Sequence, residues 1–341
     1  MFCRWVYGVI LMTMKLCLIS ICNNVMNTKD TRVIYIDQIS GLLIIYMIVY
    51  HILQWCDLNY INRSYWMLPL SFFMFWFFYK SGMFYKEKTC NEIIIGGGKK
   101  LMVPYVVYSI IGHILNCIRM VMMGDSNWIH YVLSPFKQIA LEGAISGNAP
   151  LWFLPTLLIV QLLYTKMSQI LRDEYIIILS LCTAWALFVF KITQPLYLGN
   201  IALGVAVYAV GHFMKNLQFK NMTLVLSLVL YFIVLLFVPS RIDFHTNDCG
   251  KGYYWLAIVF SLSGCIVVNN LFKKFPYSSF KFFENIGRCS MNLYVQHWPI
   301  IIVCFMLYPF HGLAMFLAII TTCIVLLFII NESHRKLYRI K

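Results

Sequence analysis

Apolar residues recur along the whole chain in helix-length runs, at about 34–56, 65–85, 101–123, 150–167, 174–190, 196–214, 222–238, 253–272, 287–308 and 311–331. Each run approaches the ~20 residues needed to cross a hydrocarbon core of ~30 Å. In lipid every backbone polar group must find a partner within the protein, and a helix achieves this inside one segment. The pattern therefore predicts an all-α fold, a polytopic integral membrane helical bundle of about ten transmembrane helices.

The polar residues between the runs predict an orientation. If the chain enters from the cytoplasm before residue 34, only Arg63, Arg119, Lys137, Lys191, Arg241 and Lys251 fall outside. Apart from Arg4 and Lys15, the rest of the 27 lysines and arginines then fall inside. That asymmetry follows the positive-inside rule and predicts a multi-pass plasma (inner) membrane protein with both core termini cytoplasmic. Two polar stretches are then expected outside, 124–149 and 239–252. Each reads either as ordinary solvated loop or as a surface that meets an extracytoplasmic substrate.

The first 22 residues place Arg4 ahead of an apolar run, as a signal sequence does, but Lys15 interrupts the run and no small-residue cleavage site follows. Residues 1–31 are expected to be an extra helix or the product of an early start, with Met26 opening an alternative N-terminus. The expected organisation is this segment, a transmembrane domain over 32–331 and a basic cytoplasmic tail over 332–341.

Composition sharpens the picture. The chain is 61% hydrophobic and 12% charged, with mean hydropathy +0.76, against roughly half apolar and a quarter charged in soluble domains. The net charge of +14 sits at helix ends rather than on one face, so no nucleic-acid partner is expected; membrane lipids are. The twelve cysteines contain no C-x-x-C pair and no Cys/His cluster with zinc spacing. Neither a metal nor a disulfide framework is expected.

Ionisable residues inside a span are costly and mark functional sites by default. The first run holds Asp37, Ser40 and His51. At ~100° per residue these three lie near one helix stripe, with His51 ~16 Å beyond Ser40 along the axis. Imidazole suits general-base work near neutral pH; a histidine hydrogen-bonded to a neighbouring helix is the alternative. His297, near mid-depth of the ninth run beside Tyr294, is a packing histidine or shares a polar cavity with the first span. Trp152 and Phe153 open the fourth run, where belt aromatics are common. Lys99 and Lys100 follow three glycines on the cytoplasmic side, where amides and ammonium groups can hold phosphate. That stretch lacks the G-K-[ST] ending of a P-loop.

Taken together, the stretches RVIYIDQISGLLIIYMIVYH, FFMFWFFYKSGMFYKEK, KKLMVPYVVYSII, PLWFLPTLLIV and IGRCSMNLYVQHWPII resemble, in order and spacing over about 32–330, the acyltransferase 3 family of membrane-bound O-acyltransferases. Sugar O-acetylases, including fucose acetylase-like members, look nearest. The resemblance implies a ten-helix core that takes an acyl group from cytosolic acetyl-CoA or another acyl-CoA, without a metal, and passes it to a hydroxyl of a carbohydrate or lipid-linked glycan acceptor in surface-polysaccharide assembly. It implies a catalytic His51, with Asp37 orienting the first span or tuning the charge of the site. Ser40, Lys99 and Lys100 would sit on the donor side, and Trp152, Phe153, Tyr294 and His297 around an acceptor or structural pocket.

One position departs from the family: an arginine or lysine usually stands eleven residues before the histidine, and here it is Ser40. Serine does not replace that charge, so another cation such as Lys99 or Lys100 takes its place, donor use is altered, or activity is lost. Two further readings stay open, a glycan-related transporter or flippase and a catalytically degenerate membrane scaffold. The acyl chain, the acceptor sugar and the oligomeric state are left open by the sequence.

Overall fold

A computed structural model describes residues 33–321 apart from 59–60, 62–66, 216–220, 238–239, 251, 275–279 and 308–311. The expectations for 1–31, for the tail 332–341 and for the end of the last apolar run fall outside the described residues. The helices are α1 Ile34–Trp55, α2 Phe73–Met83, α3 Cys90–Gly97, α4 Val103–Met122, α5 Trp128–Leu133, α6 Pro135–Glu142 and α7 Phe153–Met167. They continue with α8 Asp173–Val189, α9 Leu198–Lys215, α10 Asn221–Phe237, α11 Tyr254–Lys274, α12 Lys281–Arg288 and α13 Ser290–Leu307, followed by helical residues at 313–321. Among the described residues there is no strand beyond one bridge that pairs Asp243 with Asp248.

Helix falls in every one of the ten apolar runs, but the segments are not ten equal rods. Five are long and apolar enough to cross a membrane, and six if α12 and α13, bent by 76° at Cys289, form one span, among the described residues. α2, of 11 residues, is shorter than any full crossing. α8 and α10, of 17 residues each, stand at the lower edge of the spanning range.

Local sequence explains the irregular helices. α3 opens with a capping box: Glu92 N–H donates to Thr89 Oγ1 at 3.3 Å while Thr89 N–H donates to Glu92 Oε2 at 2.8 Å. The helix passes through a π-helical turn, Gly98–Met102, into α4, which carries Pro104 in its first turn. Proline has no N–H to close the regular ladder, and a single widened turn is how a helix absorbs such a break. Helix thus runs from Cys90 to Met122, eleven residues earlier than the apolar pattern predicts, because the capped segment before Leu101 is polar enough to escape a hydropathy reading. The α7 helix is likewise extended at its start by a 3₁₀ segment, Ser146–Trp152.

The innermost helices are α1 and α2, whose Ile39, Leu43, Met47, Ile52, Phe75, Trp76, Phe78 and Tyr79 are fully buried, and α9. Glycines set the closest crossings. A Cβ at Gly41 of α1 would strike the Phe283 carbonyl of α12, and one at Gly287 would strike the Asp37 carbonyl. The same reciprocity holds between α2 and α9, with Gly82 against the Tyr208 carbonyl and Gly211 against that of Tyr79. Small residues that let backbones touch are how membrane helices associate. The outer surface is apolar where a soluble protein's would be polar: Leu226, Val229, Phe232, Ile233, Leu236 and Phe237 of α10 are exposed, as are Val106, Ile110 and Ile114 of α4. A contiguous patch of this kind needs a lipid neighbour.

Candidate active site

The stripe on α1 ends at a cavity. His51, in the last turn of α1, lines a space of about 300 Å³ with Tyr46, Tyr50, Phe73, Trp152, Tyr294 and Trp298. Its Nδ1 is 3.0 Å from Gln54 Oε1, one turn on. A side-chain carbonyl oxygen only accepts, so Nδ1 carries the proton and Nε2 keeps a lone pair. Gln54 therefore fixes the tautomer a general base needs. The imidazole stacks on that of His297, with ring centroids 5.3 Å apart and planes 28° apart, and meets the edge of Trp298 at 5.2 Å.

The contact with His297 depends on how α13 is held. Pro299 lies inside that helix and deprives the Val295 carbonyl, four residues earlier, of its helical donor. Asn148, fully buried in the 3₁₀ segment, supplies the replacement: its Nδ2 donates to Val295 O at 3.2 Å and to Tyr108 O of α4 at 3.4 Å. Tyr294 donates from its hydroxyl to the Pro150 carbonyl. The 3₁₀ segment, itself braced on α4, thereby fixes the turn that carries Tyr294, His297 and Trp298. His297 Nδ1 donates to Tyr294 O at 2.6 Å, which leaves its Nε2 buried without a hydrogen-bond partner. Trp298 Nε1 and Ser71 Oγ, both from cavity-lining residues, are also buried and unpartnered. Buried polar groups in folded proteins are seldom left so, and a hydroxyl-rich ligand can satisfy them.

The loop between α10 and α11 forms the facing wall with Arg241, Asp243 and His245. Its Asp243–Asp248 bridge is closed by backbone bonds of 2.7 and 3.2 Å. Asn200 of α9 donates to His245 O at 3.0 Å, and Asn247 donates to Ala184 O of α8 at 2.8 Å. His245 Nε2 donates to Glu142 O at 3.1 Å, and its ring stacks on Trp152 at 4.7 Å and 11°. Burial holds the His245 imidazole below its ordinary pKa, only partly offset by the Glu142 carbonyl and the charges of Asp243 and Glu142.

Of the residues singled out from sequence, His51, Trp152, Phe153, Tyr294 and His297 come together. Trp152 lines the cavity with a face already against His245. Phe153, one residue on and so turned ~100° away, is buried behind it against Phe78 and Tyr294. Asp37 and Ser40 do not line the cavity; they lie ~21 and ~16 Å from His51 along the axis of α1. There Ser40, fully buried, donates to Ile36 O at 2.7 Å and accepts from Lys80 Nζ of α2 at 2.7 Å. Lys99 and Lys100 are exposed on the π-helical turn and also stand apart from the cavity. Among the described residues, no group of three or more His, Cys, Asp or Glu is placed to hold a metal.

Sequence reasoning missed Gln54, Ser71, Lys80 and Trp298. Gln54 had a local signal, its i, i+3 spacing from His51. Trp298 adjoins His297 and reads as one more belt aromatic. Ser71 and Lys80 have no signal that spacing along one helix can carry.

No curated protein and no solved structure matches the chain. The acyltransferase 3 family pattern, described as an acyltransferase domain, matches residues 33–331. That span contains the whole cavity, its histidine pair and every helix named above, so the chain belongs to the acyltransferase 3 family and is a membrane acyltransferase.

Proposed function

We propose that the protein is an O-acetyltransferase that moves the acetyl group of acetyl-CoA onto a hydroxyl of a sugar, in surface polysaccharide or a lipid-linked glycan. The observation that carries this reading is His51: a tautomer set by Gln54, with its Nε2 lone pair unspent, in an aromatic cavity containing unsatisfied polar groups. Such a cavity suits a sugar, whose apolar face packs on rings while its hydroxyls pair with the few polar atoms.

In this scheme the acceptor lies between the α1–α13 histidine pair and the loop bearing Arg241 and His245. His51 Nε2 takes the proton of the reacting hydroxyl as its oxygen attacks the thioester carbonyl. The carbon–sulfur bond then breaks, and the departing thiolate takes that proton, so the products are the sugar ester and free CoA thiol. The Trp298 N–H and the Ser71 hydroxyl orient the acceptor, and Trp152, held by His245, shapes the pocket wall with Tyr294. His297 backs His51 and limits its ring rotation, with Phe153 packed behind. Asp37 tunes the charge at the far end of α1. Lys99 and Lys100, exposed at the expected cytoplasmic mouth, draw in the anionic donor by long-range attraction.

The test is free-thiol release and sugar esterification by the purified protein, as wild type and His51→Ala, supplied with acetyl-CoA and surface glycan from a deletion strain. The alanine variant should lose transfer by about 10²–10⁴-fold, the range of a general base. Transfer at the wild-type rate by His51→Ala would remove His51 from the mechanism. A wild type that consumes no acyl-CoA while glycan crosses the membrane would favour a transporter instead.

A further inference from the structure

Lys80 is the last-turn lysine of α2. The ordinary place for such a side chain is water, with the stem along the helix and the ammonium near the orphan carbonyls of the helix end. Lys80 turns inward instead. Its ammonium donates to Ser40 Oγ on α1 at 2.7 Å and lies 5.4 Å from the centre of the Trp76 ring, and both of those residues are fully buried. The Ser40 hydroxyl proton is committed to the Ile36 carbonyl, so the oxygen is left as an acceptor for a cation. Ser40 is therefore a socket for the ammonium as well as a small core residue.

Position makes the socket meaningful. Ser40 lies within ~20° of azimuth of His51 and ~16 Å from it along α1. The Lys80 charge thus stands on the same face of α1 as the base, at the opposite end of the helix from the cavity. Residue 40 itself carries no charge, yet the space beside it does, delivered from 40 residues further along the chain. A charge held inward in a spanning bundle costs free energy and marks a substrate or ion path by default.

We infer that Lys80 is the donor-binding cation of this enzyme, engaging the phosphates of the acyl-CoA while the thioester reaches towards His51 on its long pantetheine arm. The inference rests on the acetyl-CoA reading above. It also accounts for Ser40: a long side chain at residue 40 would compete for the space the ammonium occupies, so charge and socket have exchanged places between α1 and α2.

The test uses the purified full-length protein and two acetyl donors, acetyl-CoA and acetyl-pantetheine, which lacks the nucleotide phosphates. Lys80→Met keeps the stem over Trp76 and removes the charge. It should raise KM for acetyl-CoA by about 10- to 100-fold, the worth of a hydrogen bond to a charged group, with KM for acetyl-pantetheine and for the acceptor unchanged. The exchange variant Ser40→Lys/Lys80→Ser should recover most of the preference for acetyl-CoA, whereas Ser40→Lys alone brings two ammonium groups together and should not. Equal losses with both donors would mean that Lys80 only supports packing and would overturn the inference, as would a folded exchange variant without recovery. A wild type inactive with both donors would instead overturn the acetyl-CoA reading itself.

Discussion

Substitution of Gly287 by alanine tests whether the crossing of α1 and α12 positions the histidine pair. The new Cβ would lie 2.6 Å from the Asp37 carbonyl carbon and 2.9 Å from Gly41 N, and closer still to the Asp37 oxygen. All three are backbone atoms, so no side-chain rotation relieves them. Ordinary carbon contacts begin near 3.5 Å, and the helices must therefore part by roughly 1 Å. Alanine adds up to ~1 kcal/mol of helix propensity over glycine, against about 1–3 kcal/mol or more for overpacking, so the net effect is a loss of stability. The functional effect should be larger. α12 turns through 76° directly into α13, which carries Tyr294, His297 and Trp298 to His51, and a displacement of ~1 Å in a catalytic array costs ~100-fold in rate. Gly96→Ala is the control, because nothing lies within 4 Å of its Cβ position. Steady-state transfer and thermal unfolding in detergent should show Gly287→Ala slowed by ~100-fold and less stable, with Gly96→Ala active and equally or more stable. If the two variants behave alike, the close crossing does not position the site.

Two further outcomes follow from the cavity. Trp298→Phe keeps an aromatic ring, though a smaller one, and removes the N–H; kcat/KM for the acceptor should fall about tenfold, the worth of one neutral hydrogen bond, whereas a fall of 10²–10³ in kcat would place that N–H on the oxygen of the tetrahedral intermediate instead. Because burial depresses the His245 pKa below its ordinary 6.5, the neutral ring favours the loop as it packs against Trp152 and Glu142: that packing is at full strength above about 6.5 and weakens as pH falls below it. The acceptor KM should then rise below that pH and flatten in His245→Asn, and an unchanged profile would exclude this histidine from holding the loop against the cavity.

The stripe that leads to the cavity was legible because α1 is one helix. Its 3.6-residue period puts Asp37, Ser40 and His51 on one stripe wherever the helix lies. Residues 239–252 were legible only as a polar stretch; that Arg241, Asp243 and His245 wall the cavity depends on Asn200 and Asn247 holding the loop against α9 and α8. The partners of the stripe were not legible. A soluble helix shows its inner side by an apolar stripe against a polar one. α1 and α2 are enclosed by other helices and largely apolar on every side, so the pattern does not say which residues meet.

The apolar runs by themselves determined an all-helical membrane protein, since backbone in lipid has little other way to satisfy its hydrogen bonds. They also determined which residues share a helix face. Tertiary structure alone decided that α12 and α13 bend at Cys289, that His297 stacks on His51, and that the Lys80 ammonium comes to rest on Ser40. The physical reason is one of range. Periodicity is a property of neighbours in sequence, whereas the close approach allowed by Gly41 and Gly287, and the socket formed by a buried serine, are properties of two surfaces that exist only once the helices have packed.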